Sequence, residues 1–179
     1  NYPILTLFAS NYIDLPRSCG LKSFLNFREF VQETISFILK LENIYIILKT
    51  HPADEFYPLV KNSSVEYYNN LYKSNRFNTA DLEWDNTNLI NLSDGVITSH
   101  GTVGIEATHL RKPVLCANEG WYGHIGFVDT ALNRQDFFNK IKNKFCEKKE
   151  VTLSENKIKS DLFSGWYYCD PCHEKKYSI

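Results

Sequence analysis

Short, nearly unbroken apolar runs rich in β-branched residues alternate along the chain with longer stretches whose apolar residues recur every three to four positions. The first pattern is that of strands buried on both faces and the second that of helices packed by one stripe. Their alternation predicts a parallel sheet covered by helices. Ile4 to Ala9 predicts a first strand, followed by a polar loop from Ser10 to about Lys22 that is longer than most connections and long enough to carry function. Phe24 to Leu41 sets Phe27, Phe30, Val31, Ile35, Ile38 and Leu39 at helical spacing, and Ile44 to Leu48 forms a second strand. That strand ends in Lys49-Thr50-His51-Pro52, where proline cannot continue a ladder. Glu55 to Leu71 predicts a helix, and within the polar stretch Tyr72 to Asp85 only Phe77 marks a short strand.

A short helix over Thr87 to Leu92 leads into strand Gly95 to Thr98, the turn Ser99-His100-Gly101-Thr102, helix Val103 to Leu110 and strand Pro113 to Ala117, which together make one βαβ unit. Asn118 to Thr130 is an aromatic, glycine-rich loop, and Arg134 to Phe145 is an amphipathic helix. The tail from Glu147 to Ile179 is charged at first and then aromatic. The fold class is therefore α/β, a Rossmann-like open parallel sheet with helices on both faces.

Composition narrows the function classes. With 179 residues, 43% of them hydrophobic and 15% aromatic, the chain carries one packed core and lacks the signature of disorder. Its 20 Lys and Arg against 21 Asp and Glu leave a formal charge of -1, which argues against a nucleic-acid grip built on bulk positive charge. No apolar run approaches the roughly 20 residues that span a bilayer. The sequence has no Met and opens directly into an apolar run, so we expect a domain cut from a larger protein. Five scattered cysteines, Cys19, Cys116, Cys146, Cys169 and Cys172, indicate reduced thiols and a cytoplasmic setting.

Three polar turns carry candidate chemistry. Ser99, His100, Gly101, Thr102 and Gly104 follow a strand and open a helix, where small residues, backbone N–H groups and hydroxyls suit a phosphate. Glu106, one turn further, can accept hydrogen bonds from ribose hydroxyls. The alternative is that Thr102 is a plain N-cap, Gly104 a close-packing residue and Glu106 a complement to the helix dipole. The second turn holds Lys49, His51 and Pro52 at another strand end, so it emerges at the same sheet edge, with an ammonium and an imidazole for a phosphate ester. There, too, His51 can instead satisfy only its own loop. The third turn follows a further strand, where Trp121 or Tyr122 can stack on a base and glycines such as Gly123 allow close approach. Packing of those aromatics onto the sheet edge is its alternative.

Other clusters carry less. Cys169-Asp-Pro-Cys172-His173 has no second pair at zinc spacing and would need Cys146 or His124, so no metal site is assigned. The charge run Lys140 to Lys149 fits a solvated helix face, and no Gly-x-Ser-x-Gly elbow is present.

The Lys49-x-His51-Pro52 turn, the Ser99-x-Gly-Thr-x-Gly-x-Glu-Ala107 helix start, the Lys112-Pro-Val114 strand and the Tyr122-Gly123 loop resemble the capsule polysaccharide biosynthesis family. The resemblance covers about Ile44 to Phe145, with a first strand and helix before it. It implies the C-terminal half of a GT-B glycosyltransferase, related to Kdo transferases and sialyltransferases. It also implies that residues 1–150 bind a nucleotide-sugar donor, with a CMP-sugar as substrate and no tightly bound cofactor. By this resemblance His51 acts on the donor phosphate as the catalytic group, Ser99 and Thr102 hold that phosphate and Glu106 takes the ribose. Where many relatives carry two adjacent serines, His100-Gly101 stands here.

The catalytic base would come from a missing N-terminal domain, since no second Rossmann unit fits in 179 residues. Residues 151–179 would pack on this domain or on the missing one, and the acceptor would be a glycan or glycolipid. The chain would lie in the cytoplasm, free or peripheral at the inner face of the membrane. Two rivals remain open at this level: a polyol-phosphate transferase domain using CDP-glycerol, and a non-catalytic domain that docks a partner chain through the crevice and Trp166 to Tyr168.

Overall fold

The computed structural model describes residues 2–12, 23–53, 65–146 and 153–169, with side chains in the last segment described for 155–165. The order is β1 (Ile4–Phe8), α1 (Phe27–Lys40), β2 (Tyr45–Lys49), α2 (Val65–Leu71), β3 (Phe77–Thr79), α3 (Asn86–Leu92) and β4 (Gly95–Thr98). Then come α4 (Val103–His109), β5 (Val114–Cys116), a 3-10 turn (Gly123–Ile125), β6 (Asp129–Thr130), α5 (Arg134–Ile141), a π-turn (Lys142–Cys146) and α6 (Leu153–Cys169). The strands form one sheet in the order β3-β2-β1-β4-β5-β6, and every pairing is parallel. The order reverses at β1, and crevices for ligands open beyond the strand C-termini at such a reversal.

Register decides what meets there. Phe8 pairs with Lys49 on one side and with Thr98 on the other, so β1, β2 and β4 end level with one another. The residues that follow, Ala9, Thr50 and Ser99, therefore leave the sheet along one edge.

Burial on both faces explains why the strands show runs rather than alternation. Leu5, Leu7, Ile46, Leu48 and Ile97 pack beneath α1, α2 and α5, whereas Phe8, Ile47, Val96, Val114 and Cys116 face α3, α4 and α6. Thr6, the polar residue of β1, is fully buried and shares a hydrogen bond with Ser93 Oγ at 2.5 Å. Local signals set the helix starts. Asn26 caps α1 by accepting the Glu29 N–H at 2.8 Å while the Glu29 carboxylate reaches back to the Leu25 N–H. Asp85 and Asn133 cap α3 and α5 in the same way. Beyond α1, the Arg76 guanidinium donates to the carbonyls of Leu39, Leu41 and Ile44, closing the turn into β2.

Several elements differ from expectation. The loop expected over Asn118 to Thr130 contains the 3-10 turn and β6, a strand too short to show any period. The expected helix to Phe145 is regular only to Ile141 and widens into the π-turn, which carries the buried Phe145. The expected tail contains α6, whose apolar residues are spread around it: Phe163 is buried, while Ile158 and Leu162 are exposed. Phe163 packs on Trp121 and Phe127. His109 of α4 meets Ser164 at 3.1 Å and pairs with Asp161. Of the helix expected over Glu55 to Leu71, Val65–Leu71 is observed, and residues 54–64 lie outside the described residues, as do Cys19, Cys172, His173 and most of the first loop. No helix among the described residues is long and apolar enough to cross a membrane.

The thiols separate by burial. Cys116 is fully buried and desolvation pushes its thiol up to about 12, whereas Cys146 is exposed. Because the thiolate is the nucleophile, iodoacetamide at neutral pH is expected to label Cys146 in the native protein and Cys116 only after denaturation, as peptide mass mapping would show.

Candidate functional site

A cleft of about 400 Å³ opens at the level strand ends. Ala9, Ser10 and Asn11 line it after β1, Thr50, His51 and Pro52 after β2, and His100, Gly101, Thr102 and Val103 after β4. Phe8, Lys49 and Thr98 form its floor at the last positions of the three strands, and Asn86 reaches it from the start of α3. Among the described residues that line it none is acidic. The two turns near residues 51 and 100 thus face one cavity, as their strand-end positions predict.

Within the cleft, His51 accepts the Ala53 N–H at Nδ1, 3.1 Å away. In the neutral ring that contact puts the proton on Nε2, which leaves a donor for an anionic ligand. His100 rests on Phe27, with ring centroids 5.9 Å apart, and its Nδ1 lies 3.1 Å from Ser99 Oγ. Across the turn, Gly101 N–H donates to Thr98 Oγ1 at 3.3 Å. Thr102 begins α4 in helical conformation without a side-chain cap, so its hydroxyl is not used as the N-cap alternative required. The N–H groups of Thr102 and Val103 have no hydrogen-bond acceptor among the described residues.

Other predicted site residues turn out to build the frame. Ser99 is buried and shares a hydrogen bond with Ser10 Oγ, tying the end of β4 to the end of β1 instead of facing the cavity. The Lys49 side chain is 4% exposed, and its ammonium donates to the carbonyls of Asp81, Leu82 and Trp84, at 2.7 and 3.1 Å for the latter two. Desolvation lowers its pKa, partly opposed by Asp81. Its charge is therefore a tether to the segment before α3, where a phosphate contact was expected.

Tyr122 is fully buried, which removes it as a stacking platform for a base. It stacks on Phe127 at 5.5 Å, and its hydroxyl donates to the Gly101 carbonyl at 2.7 Å, fixing the shape of the turn between β4 and α4. Burial pushes this phenol well above its ordinary value. Gly104 makes the contact possible, because a Cβ there would stand 2.3 Å from the Tyr122 hydroxyl oxygen. Gly123 is buried and does not line the cleft, and a Cβ there would stand 2.5 Å from Thr130 Cγ2. Trp121 covers Phe163 and Tyr122. Glu106 lies exposed on α4, 3.5 Å from the side-chain nitrogen of Asn86, at the rim.

Sequence reasoning did not single out Asn11, although it lies in the loop marked as long enough to carry function, nor Thr98 or Asn86. The first two obey the strand-end rule and were within its reach. Asn86 reaches the site from the α3 start, next to the Asp85 cap, and nothing local in the chain marks that cap as lying beside the cleft.

A model of the family described as capsule polysaccharide biosynthesis protein matches residues 24–159. The chain belongs to that family. No curated protein sequence matches it. Among solved structures, the β-Kdo 2,4 transferase KpsC of Thermosulfurimonas dismutans is similar at 18% identity and a TM-score of 0.56, over 89% of this chain and 44% of that one. HepE of Anabaena, solved with UDP and glucose, is similar at 18% identity and 0.58, over 92% and 44%. The UDP-GlcNAc 2-epimerase of Methanocaldococcus jannaschii is similar at 14% and 0.59, over 93% and 46%. At such identities the likeness is one of fold, shared here by a transferase and an epimerase. The capsule-family chain spans less than half the length of each of these structures.

Proposed function

We propose that the cleft holds the nucleotide of an activated sugar, and that residues 1–150 are the donor-binding part of a glycosyltransferase building bacterial capsule or lipopolysaccharide. The observation that carries this reading is the convergence of three strand-end turns on one cavity whose described lining has imidazoles and unpaired backbone N–H groups but no carboxylate. Membership of the capsule family favours the pathway, and HepE, solved with UDP and glucose, favours the ligand class. The donor is a CMP-sugar by the family resemblance, and no tightly bound cofactor is needed.

In this reading Thr102 and Val103 N–H, the Thr102 hydroxyl and His51 Nε2–H hold the phosphate and stabilise the charge that develops on it as the sugar departs. Glu106, steadied by Asn86, takes the ribose at the rim. A second α/β half supplies the acceptor site for a glycan or glycolipid and the base that deprotonates its hydroxyl. The part of α6 described with side chains, residues 155–165, packs on α4 through His109, and the enzyme works in the cytoplasm, free or peripheral at the inner face of the membrane.

At a hundredfold excess over its dissociation constant CMP is expected to add about 2.7 kcal/mol of stability, or roughly 5–10 °C in melting temperature. His51→Ala, which loses one charge-directed donor, is expected to remove about half of that gain. Thermal melts of both proteins with CMP, UMP, UDP and GDP make the test, and no shift of the wild-type protein with any of them overturns the proposal.

A further inference from the structure

Asn118 is a buried amide without a partner. It is 3% exposed, and neither Oδ1 nor Nδ2 has a hydrogen-bond partner among the described residues. An amide offers one acceptor and two donors. Buried polar groups left unpaired at both ends are rare enough in folded proteins to need a reason.

Its place supplies one. β5 ends at Cys116, so Asn118 stands just past a strand end, at the sheet edge that carries the cleft. Its backbone N–H donates to the Ser99 carbonyl at 3.2 Å, which fixes it beside the β4 turn. The point where a Gly120 Cβ would stand lies 2.7 Å from His100 Cβ and 3.6 Å from Asn118 Oδ1. The amide oxygen and His100, a residue lining the cleft, thus both lie close to Gly120, which with Glu119 is exposed. Gly120 has φ +53°, a conformation that favours glycine, and it has no side chain to hold the turn down.

We propose that Asn118 is the base-reading residue of the site: with phosphate on the Gly101-Thr102 turn, the base crosses β4, displaces the Glu119-Gly120 turn and pairs its edge with the Asn118 amide. This inference rests on the nucleotide-binding reading above. Neighbouring strands lie about 4.8 Å apart, a step that the sugar of a nucleotide bridges. A pyrimidine edge sets a donor beside an acceptor, the pattern an amide matches in one orientation or the other. A phosphate or a lone hydroxyl does not present that pair.

The test is Asn118→Leu in the full chain, titrated calorimetrically with CMP, UMP and ribose 5-phosphate. Affinity for CMP or UMP, whichever the wild type binds, is expected to fall at least about tenfold, the loss of a two-point base contact, while that for ribose 5-phosphate stays level. The melting temperature of the free variant is expected to rise by about 2 °C or more, because an apolar side chain of similar shape relieves two unpaired groups. Unchanged nucleotide affinity, an equal loss for ribose 5-phosphate, or a lower melting temperature overturns the inference while leaving the proposed function standing. A wild-type protein that binds no nucleotide overturns both. Asn118→Ala gives the same affinity comparison if the leucine variant is insoluble.

Discussion

Replacing Gly104 with alanine is expected to destabilise the domain by about 1–3 kcal/mol, the usual cost of overpacking a tight core. The new Cβ would stand 2.3 Å from the Tyr122 hydroxyl oxygen and 3.2 Å from the ring carbon that bears it. Tyr122 has no room to retreat, since it is fully buried, stacked on Phe127 and met edge-on by Trp121 at 5.1 Å. Any retreat also breaks the bond to the Gly101 carbonyl and lets the turn between β4 and α4 move. The response to nucleotide is therefore expected to weaken together with stability. Tyr122→Phe removes the clashing oxygen and leaves a 3.2 Å approach that small shifts can absorb. Urea unfolding of the two single variants and the double variant would test this. The double variant is expected to be at least about 1 kcal/mol more stable than the sum of the single losses. Strict additivity would mean that the hydroxyl does not set the glycine requirement.

Lys49→Met is expected to cost roughly 2–4 kcal/mol: a hydrogen bond to a charged group is worth about 1.5–3 kcal/mol, the three here share one ammonium and are not additive, and water reaching the freed carbonyls recovers part of the loss. The methionine stem fills much the same space, so the loss isolates the ammonium. Three carbonyls, those of Asp81, Leu82 and Trp84, would be left without this donor where β2 ends. That segment leads into the Asp85 cap and Asn86, so the cleft is expected to loosen at the α3 side. Lys49→Arg is not expected to rescue it, since a planar fork does not fit three carbonyls gathered around a compact ammonium. Urea unfolding measures the loss, and a change below about 1 kcal/mol would show that water replaces the tether at no cost.

The same two residues show where sequence reasoning reaches and where it stops. Continuous apolar runs made β1, β2, β4 and β5 legible, and level strand ends followed from the rule for open parallel sheets. Hence the cleft between the turns of His51 and His100 could be foreseen. Lys49 and Tyr122 carry the chemistry expected of ligand contacts, but direction decides their use. Lys49 lies at the end of a strand and its ammonium meets the chain ahead of α3. Tyr122 follows a strand like any loop aromatic, and only the missing side chain at Gly104 admits it to the interior. Ser99 likewise spends its hydroxyl on Ser10, a partner distant in sequence. β6 and α6 escaped because a strand of two residues has no period and a helix with apolar residues on several sides has no single stripe.

The sheet's outermost strands, β3 and β6, are three and two residues long. Unpaired backbone along a sheet margin is a template on which another polypeptide can add itself. Here each margin offers so little open ladder that a second molecule finds almost nothing to zip onto. A newly made copy therefore offers its neighbours in a crowded cell little backbone on which a fibre could start.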